Sequence, residues 1–385
     1  MMPNIVWQII SFLPCLAYDL LEWLRDLFLV RVLGRHRIVT HDVTREGCNF
    51  DGATHIAIVA VRPAGGSDLF TLNLINALAE QGFYILLMSN APLSEGQRNV
   101  LLSRCHRIIE RAPVGRDFGC YQAGLRTLGL FNGGLPAACE CLVLANDSMF
   151  YRSDLSDIIS EMMQFDNPWV AMFENFEQAY HAQSFFLMFY PQIFRSPVFG
   201  RFWRKYKPYS SRKHTIRKGE VGLTRTLRKA RFVPSVCFSS TRIRQVIEAA
   251  QADPLEICNL LPYCSDMSWR EWAEELLEMA KHGLSIEERS PTLLFAWQNF
   301  LRTIAHVSES ANPTHVVGLI LNCMAKAPLK RDVCYRNIFT INQVLGYATG
   351  FDARELGAME VDLRSKGLFV SLSFPKKLLC VRGRI

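Results

Sequence analysis

Arg111–Ser148 decides how the chain is read. The stretch opens as R-A-P-V-G-R-D-F-G-C-Y-Q-A-G-L from Arg111 to Leu125 and closes as C-E-C-L-V-L-A-N-D-S from Cys139 to Ser148. The first half sets an Arg-Asp pair between glycines. The second half is an apolar strand that stops abruptly on Asn146-Asp147-Ser148. A buried parallel strand ending in polar side chains puts them at the carboxyl edge of a sheet, where open α/β folds bind ligands.

The segments upstream have the matching period. His55 to Val61 (H-I-A-I-V-A-V) is a short β-branched run that reads as a buried strand. An amphipathic helix closed by Gly82 follows, then a strand from Phe83 to Met88 ending on Ser89-Asn90. A helix over Ser94 to Arg104 and a strand from His106 to Glu110 lead into the central stretch. Alternating strands and helices with short links predict a right-handed, mostly parallel sheet flanked by helices. Beyond Ser240 the pattern turns helical, over Arg242 to Ala252, Ser268 to Lys281 and Thr292 to Val307. The expected division is residues 1–45 as an amphipathic helix and linker, 46–240 as the ligand-binding α/β domain, and 241–385 as a mainly helical subdomain.

Composition bounds the function. With 385 residues, 49% hydrophobic and 21% charged, the chain can bury a large core, and a net charge of +7 favours an anionic partner. Basic runs interleaved with aromatics are missing, so nucleic acid is not expected. Twelve cysteines without paired metal-ligand spacing read as free thiols of a reducing cytosol. The first positive charge, Arg25, follows the apolar stretch Ile5 to Tyr18, so no cleavable signal is expected. Those fourteen residues would cover about 21 Å of a hydrocarbon core roughly 30 Å thick. Two readings of this helix stay open. It lies on an anionic membrane surface, flanked by Arg31, Arg35 and Arg37, or it packs on its own domain or a partner.

Candidate site residues follow the same edge. Gly115 and Gly119 allow close backbone approach, and a helix starting near Phe118 would aim its free N–H groups at an anion, with Arg116 adding a charge-assisted contact. Asp117 either accepts a ribose or base donor or caps the helix. Asn146, Asp147 and Ser148 suit a nucleotide-sugar diphosphate, with Asp147 as ligand to a bridging Mg²⁺ or Mn²⁺; alternatively Asp147 and Ser148 cap a turn. His181, Gln183 and Ser184 precede an apolar strand and suit sugar hydroxyls. Glu220 is the candidate general base for an attacking hydroxyl, or else a favourable charge in a first helical turn. A dehydrogenase or methyltransferase is disfavoured, since no G-x-G-x-x-G turn follows the first strand.

Taken in order, these motifs resemble the rhamnan synthesis protein F family, bacterial glycosyltransferases of rhamnose-containing cell-surface polysaccharides. The landmarks are Ser89-Asn90, R-x-P-x-G-R-D-F-G at Arg111 to Gly119, L-V-L-A-N-D-S at Leu142 to Ser148 and H-A-Q-S-F-F at His181 to Phe186. G-E-V-G-L-T at Gly219 to Thr224, N-P-T-H from Asn312 and P-L-K-R ending at Arg331 complete them. The resemblance implies a GT-A-like fold and transfer of a sugar, often rhamnose from a dTDP-activated donor, onto a glycan or lipid-linked acceptor such as an O-antigen precursor. An inverting reaction at the cytoplasmic face, peripheral to the plasma membrane, is the expectation. The chain departs from the family at Pro113, at Met149-Phe150-Tyr151-Arg152 after N-D-S, and at Val61-Arg62. Those departures leave a rival open, a non-catalytic scaffold or binding protein with the same fold.

Overall fold

A computed structural model describes residues 12–62, 69–249, 260, 312–336 and 338–381. The expected helices over Ser268 to Lys281 and Thr292 to Val307 lie outside the described residues.

The strands are β1 (Val39–Thr44), β2 (His55–Val61), β3 (Tyr84–Ser89), β4 (Arg107–Arg111), β5 (Cys141–Asn146), β6 (Met149–Phe150), β7 (Trp169–Asn175), β8 (His181–Ala182), β9 (Phe186–Phe189), β10 (Ser235–Phe238) and β11 (Leu329–Lys330). The central sheet runs β1-β4-β3-β2-β5-β9-β7-β10, with β8 attached to β7. Neighbours are parallel from β4 through β3 and β2 to β5, and again between β7 and β10. β9 is antiparallel to both β5 and β7. The result is a mixed α/β protein with a large, mostly parallel sheet.

The period of two in the strands explains why both faces are covered. Ile56, Ile58 and Ala60 of β2 point into one core and Ala57, Val59 and Val61 into the other. Helices α1 (Phe12–Leu27), α2 (Leu69–Glu80), α3 (Glu95–Leu102), α4 (Arg116–Thr127), α5 (Leu155–Met163), α6 (Pro197–Lys205) and α7 (Val221–Lys229) follow in chain order. Phe118, Tyr121 and Leu125 of α4 meet Phe199 and Trp203 of α6 on one face. Phe70 and Leu74 of α2 and Leu155 of α5 lie in the core on the other. That second core also takes Leu319 and Leu321 from α9 (Gly318–Ala325) and Met359 and Leu363 from α11 (Ala353–Lys366). In sequence α8 (Ser240–Ala249) precedes α9, α10 (Ile341–Tyr347) stands between α9 and α11, and α12 (Phe374–Val381) ends the described chain. The C-terminal region is therefore mainly helical where it is described, with β11 as its strand.

Two local expectations need correction. The segment read as a linker before residue 45 contains β1, which pairs antiparallel with β4 and is tied by Arg107 to Asp42 at 2.7 Å. Its exposed, polar-rich sequence hid it from a hydrophobicity argument. The run R-F-V-P-S-V from Arg231, whose pattern reads as a strand, forms one only from Ser235, because Arg231 turns left-handed (φ 66°) after α7 and Pro234 carries no N–H for a ladder. Among the described residues, no helix is long and apolar enough to cross a membrane.

Candidate functional site

Strand order reverses at β2, which is flanked by β3 and β5, so the carboxyl ends of β2 and β5 form a topological switch point. There the backbone N–H of Arg62 donates to Asp147 Oδ2 at 2.7 Å. Asn146 works in both directions. Its Nδ2 donates to Asp117 Oδ2 at 3.1 Å, and its Oδ1 accepts the Ser148 N–H at 3.1 Å as well as the Ser148 hydroxyl. Met149 and Phe150 pair with Lys330 and Leu329, so the residues after N-D-S receive a strand from the C-terminal region. That pairing brings Lys330 Nζ within 3.2 Å of Ser148 Oγ.

The Arg-Asp turn starts α4 in a left-handed conformation at two successive residues, Gly115 (φ 87°) and Arg116 (φ 52°). A left-handed arginine is uncommon and marks a position held by its surroundings. A Cβ on Gly115 would stand 2.6 Å from Pro208 Cβ, and one on Gly119 2.8 Å from the Val114 carbonyl. The close approach that these glycines permit is thus to protein atoms, where the sequence suggested an anion.

Asp117 is half-buried at the start of α4. Burial, then the Glu220 carboxylate, pushes its carboxyl above the usual range. Ser184 Oγ lies 2.7 Å from Glu220 Oε1 and 3.2 Å from Asp117 Oδ2. One hydroxyl hydrogen faces two carboxylates, so both contacts are hydrogen bonds when Asp117 carries a proton, the direction in which burial drives it. The Ser184 N–H also donates to Glu220 Oε1 at 3.0 Å.

Glu220 ends a π-helical turn, Thr215–Glu220, immediately before α7. Such turns are rare and concentrate at functional sites. His181 Nδ1 donates to the Ala179 carbonyl at 2.7 Å, which leaves Nε2 facing Glu220 Oε2 at 3.7 Å. Gln183 Nε2 donates to the Glu174 carbonyl and to Asn312 Oδ1, both at 2.9 Å. Its amide therefore orients the N-P-T-H segment.

Two adjoining cavities open here. One is lined by Asp117, Asn146, Ser148, His181, Gln183, Ser184, Glu220 and Lys330. The other, of about 680 Å³, lies between the side chains of α1 (Tyr18, Glu22, Arg25) and those after β2, β3 and β4 (Arg62, Asn90, Pro113, Arg116). Arg116, Arg212, Asp332 and Lys366 line both. The structure thus gathers Arg116, Asp117, Asn146, Ser148, His181, Gln183, Ser184 and Glu220 around one cavity, whose lining does not include Asp147, Gly115 or Gly119.

Residues 85–254 match the family model of rhamnan synthesis protein F. This span carries Arg116, Asp117, Asn146 to Ser148, His181 to Ser184 and Glu220. The chain is also 27% identical over 243 residues to the uncharacterized protein y4gN of Sinorhizobium fredii. That alignment covers 60% of this chain and 61% of the relative.

Several cavity residues outside the rhamnan synthesis protein F span escaped the sequence reading: Asn312, His315, Lys330 and Asp332. Their signal was present in N-P-T-H and P-L-K-R, but nothing local says that either segment reaches the sheet edge. Asp332 is held well below the usual carboxylate range. Burial opposes its ionisation, but His315 at 3.1 Å and Arg336 at 2.6 Å outweigh that.

The donor set fits a divalent cation poorly. The Asp147 carboxylate accepts the Arg62 N–H, its neighbours are an amide and a hydroxyl, and Lys330 stands against Ser148. Among the described residues no group of three or more His, Cys, Asp or Glu side chains is placed to hold a metal ion.

Proposed function

We propose that this chain is a glycosyltransferase of polysaccharide assembly, moving a sugar from a nucleoside-diphosphate donor to a hydroxyl of a glycan or lipid-linked acceptor. The observation that carries this reading is Glu220. It is a carboxylate oriented by Ser184 inside a cavity that continues into a larger one rich in arginine. In the proposed step the acceptor oxygen bonds to the anomeric carbon while the carbon–oxygen bond to the diphosphate breaks. The electron pair leaves on the diphosphate, and Glu220 takes the hydroxyl proton. His181 and Ser184 orient the reacting groups, and positioning with electrostatic stabilisation supplies most of the acceleration.

The family match supports a place in rhamnan or related polysaccharide synthesis, and rhamnose from a dTDP donor is the finer reading. The switch-point site and the antiparallel β9 inside an otherwise parallel run support a GT-A-like rather than a dinucleotide-binding arrangement. Attack by the acceptor oxygen from the side opposite the leaving group would make the reaction inverting.

A membrane-surface location is supported by α1, which is built inside out. Asp26 is buried and accepts the Ser210 and Ser211 N–H groups at 2.8 and 3.0 Å, and Asp19 meets Lys213 at 3.2 Å. Leu16, Leu20, Leu21, Trp23, Leu24 and Phe28 are exposed. With exposed Arg31, Arg35 and Arg37 beside it, this apolar face suits the surface of an anionic membrane on the cytoplasmic side.

The decisive test is product formation by the purified chain with a panel of dTDP-, UDP- and GDP-sugars, alone and beside Glu220→Gln. The glutamine retains an oxygen for Ser184 but cannot take a proton, so a loss of about 10²-fold or more in turnover is expected. Equal turnover would remove Glu220 from the chemistry, and no transfer or hydrolysis with any donor would favour a non-catalytic binding role.

A further inference from the structure

The walls of the joined cavities gather positive charge, of which Arg25 meets Asp26 and Arg331 and Lys366 meet Asp362. Their described walls carry eight Arg or Lys side chains against five Asp or Glu, and the larger cavity has six against two. Asp332 is already shared between His315 and Arg336. Lys330 lies over the Phe185 ring at 4.5 Å and touches Ser148 Oγ. Its burial pushes the ammonium toward the neutral form. Burial, then Arg336, works against the charge of Arg212 in the same way. Bringing like charges together away from water is unfavourable unless an anion joins them. The left-handed backbone of Arg116 sits at the junction of the two cavities. At about 680 Å³ the larger cavity is the size of a small-molecule site, and Tyr18, Leu29 and Tyr335 give it apolar walls suited to a nucleoside.

We infer that the joined cavities bind a nucleoside diphosphate without a divalent cation, the nucleoside in the larger one and its diphosphate neutralised by Arg116, Arg212 and Lys330 where the two meet. The inference rests on the sugar-nucleotide reading of the site and specifies how the leaving group is stabilised. As the bond to the anomeric carbon breaks, the negative charge that develops on the diphosphate oxygen faces guanidinium and ammonium groups already in place. Arginine presents paired donors to phosphate, and lysine adds a point charge beside the Asn146-Asp147-Ser148 edge.

Calorimetry on the full chain with dTDP, UDP and inorganic pyrophosphate, each in EDTA and in excess Mg²⁺, tests this. Dissociation constants should agree within about twofold between the two conditions, and Arg212→Gln and Lys330→Met should each weaken binding about tenfold or more. Thermal melting of each variant checks the fold, and Lys366→Gln on the exposed end of α11 gives a second, milder variant expected to weaken pyrophosphate a few-fold. Binding of the nucleotides only in Mg²⁺ would overturn the metal-free site and leave the sugar-nucleotide reading standing. Metal-free binding of pyrophosphate with neither nucleotide bound would overturn the sugar-nucleotide reading instead. Wild-type affinity in Arg212→Gln and Lys330→Met would overturn the assignment of these residues.

Discussion

Arg62 donates its backbone N–H to Asp147 Oδ2 at 2.7 Å, tying the carboxyl end of β2 to that of β5 where the strand order reverses. The bond fixes the floor on which Asn146 and Ser148 stand. Asp147→Asn keeps an acceptor oxygen for this N–H, so its thermal stability and its metal-free affinity for dTDP should stay near wild type. Asp147→Ala leaves the N–H without this acceptor and should cost about 1–3 kcal/mol in denaturant titration. Abolition of dTDP binding in Asp147→Asn would point back to a metal-ligating carboxylate.

Gly115 is required by the geometry of its turn. Its φ of 87° is strained for any side chain, and a Cβ would stand 2.7 Å from the Pro208 carbonyl oxygen. Gly115→Ala should therefore lower stability by about 1–3 kcal/mol and displace the loop that carries Ser210, whose hydroxyl accepts the Gly115 N–H at 3.1 Å. Urea unfolding gives the first quantity. A stability equal to wild type would mean that the turn tolerates another backbone shape.

His36 gives the fold a pH dependence. Burial, then Arg37 and neighbouring arginines, lowers its pKa to about 4, against about 6.5 in an unfolded chain. Above about pH 6.5 both states are neutral, and between there and the folded value only the unfolded chain takes the proton. Its contribution is therefore present above about pH 6.5 and lost as pH falls toward the folded value. His36→Gln should flatten that part of a melting-temperature profile. An unchanged slope would assign it to other groups.

The apolar side of α1 separates membrane contact from folding. Leu21 is 67% exposed and Leu20 54%, so Leu20→Gln with Leu21→Gln should leave the melting temperature within a few degrees of wild type. Partitioning onto vesicles containing anionic lipid should fall several-fold as buried apolar area is lost. Removing all of α1 is the poorer experiment, because Tyr18, Glu22 and Arg25 also wall the large cavity. Unchanged partitioning of the double variant would exclude this face as the lipid contact.

The strands and helices from His55 to Asn146 were legible because each is set by short-range pattern: β-branched runs, glycine closures and a capping box at Ser94 and Gln97. The polar strand end at Asn146 to Ser148 was legible for the same reason, since an apolar run that stops on three polar residues has one sensible place in a parallel sheet. β1 was not legible. It is an exposed edge strand whose pairing with β4 comes from backbone groups that leave no hydrophobic period.

Sequence alone determined the α/β class, the sheet edge that carries the site, and the identity of Arg116, Asp117, Ser184 and Glu220 as residues of interest. Tertiary structure decided how they work together. Ser184 brings two carboxylates distant in sequence to one hydroxyl, and β11 carries Lys330 to Ser148 across 182 positions. The α1 helix buries its acids and exposes its leucines. None of these follows from local pattern, because a charge's meaning depends on what lies within a few ångströms of it, and chain folding alone sets that neighbourhood.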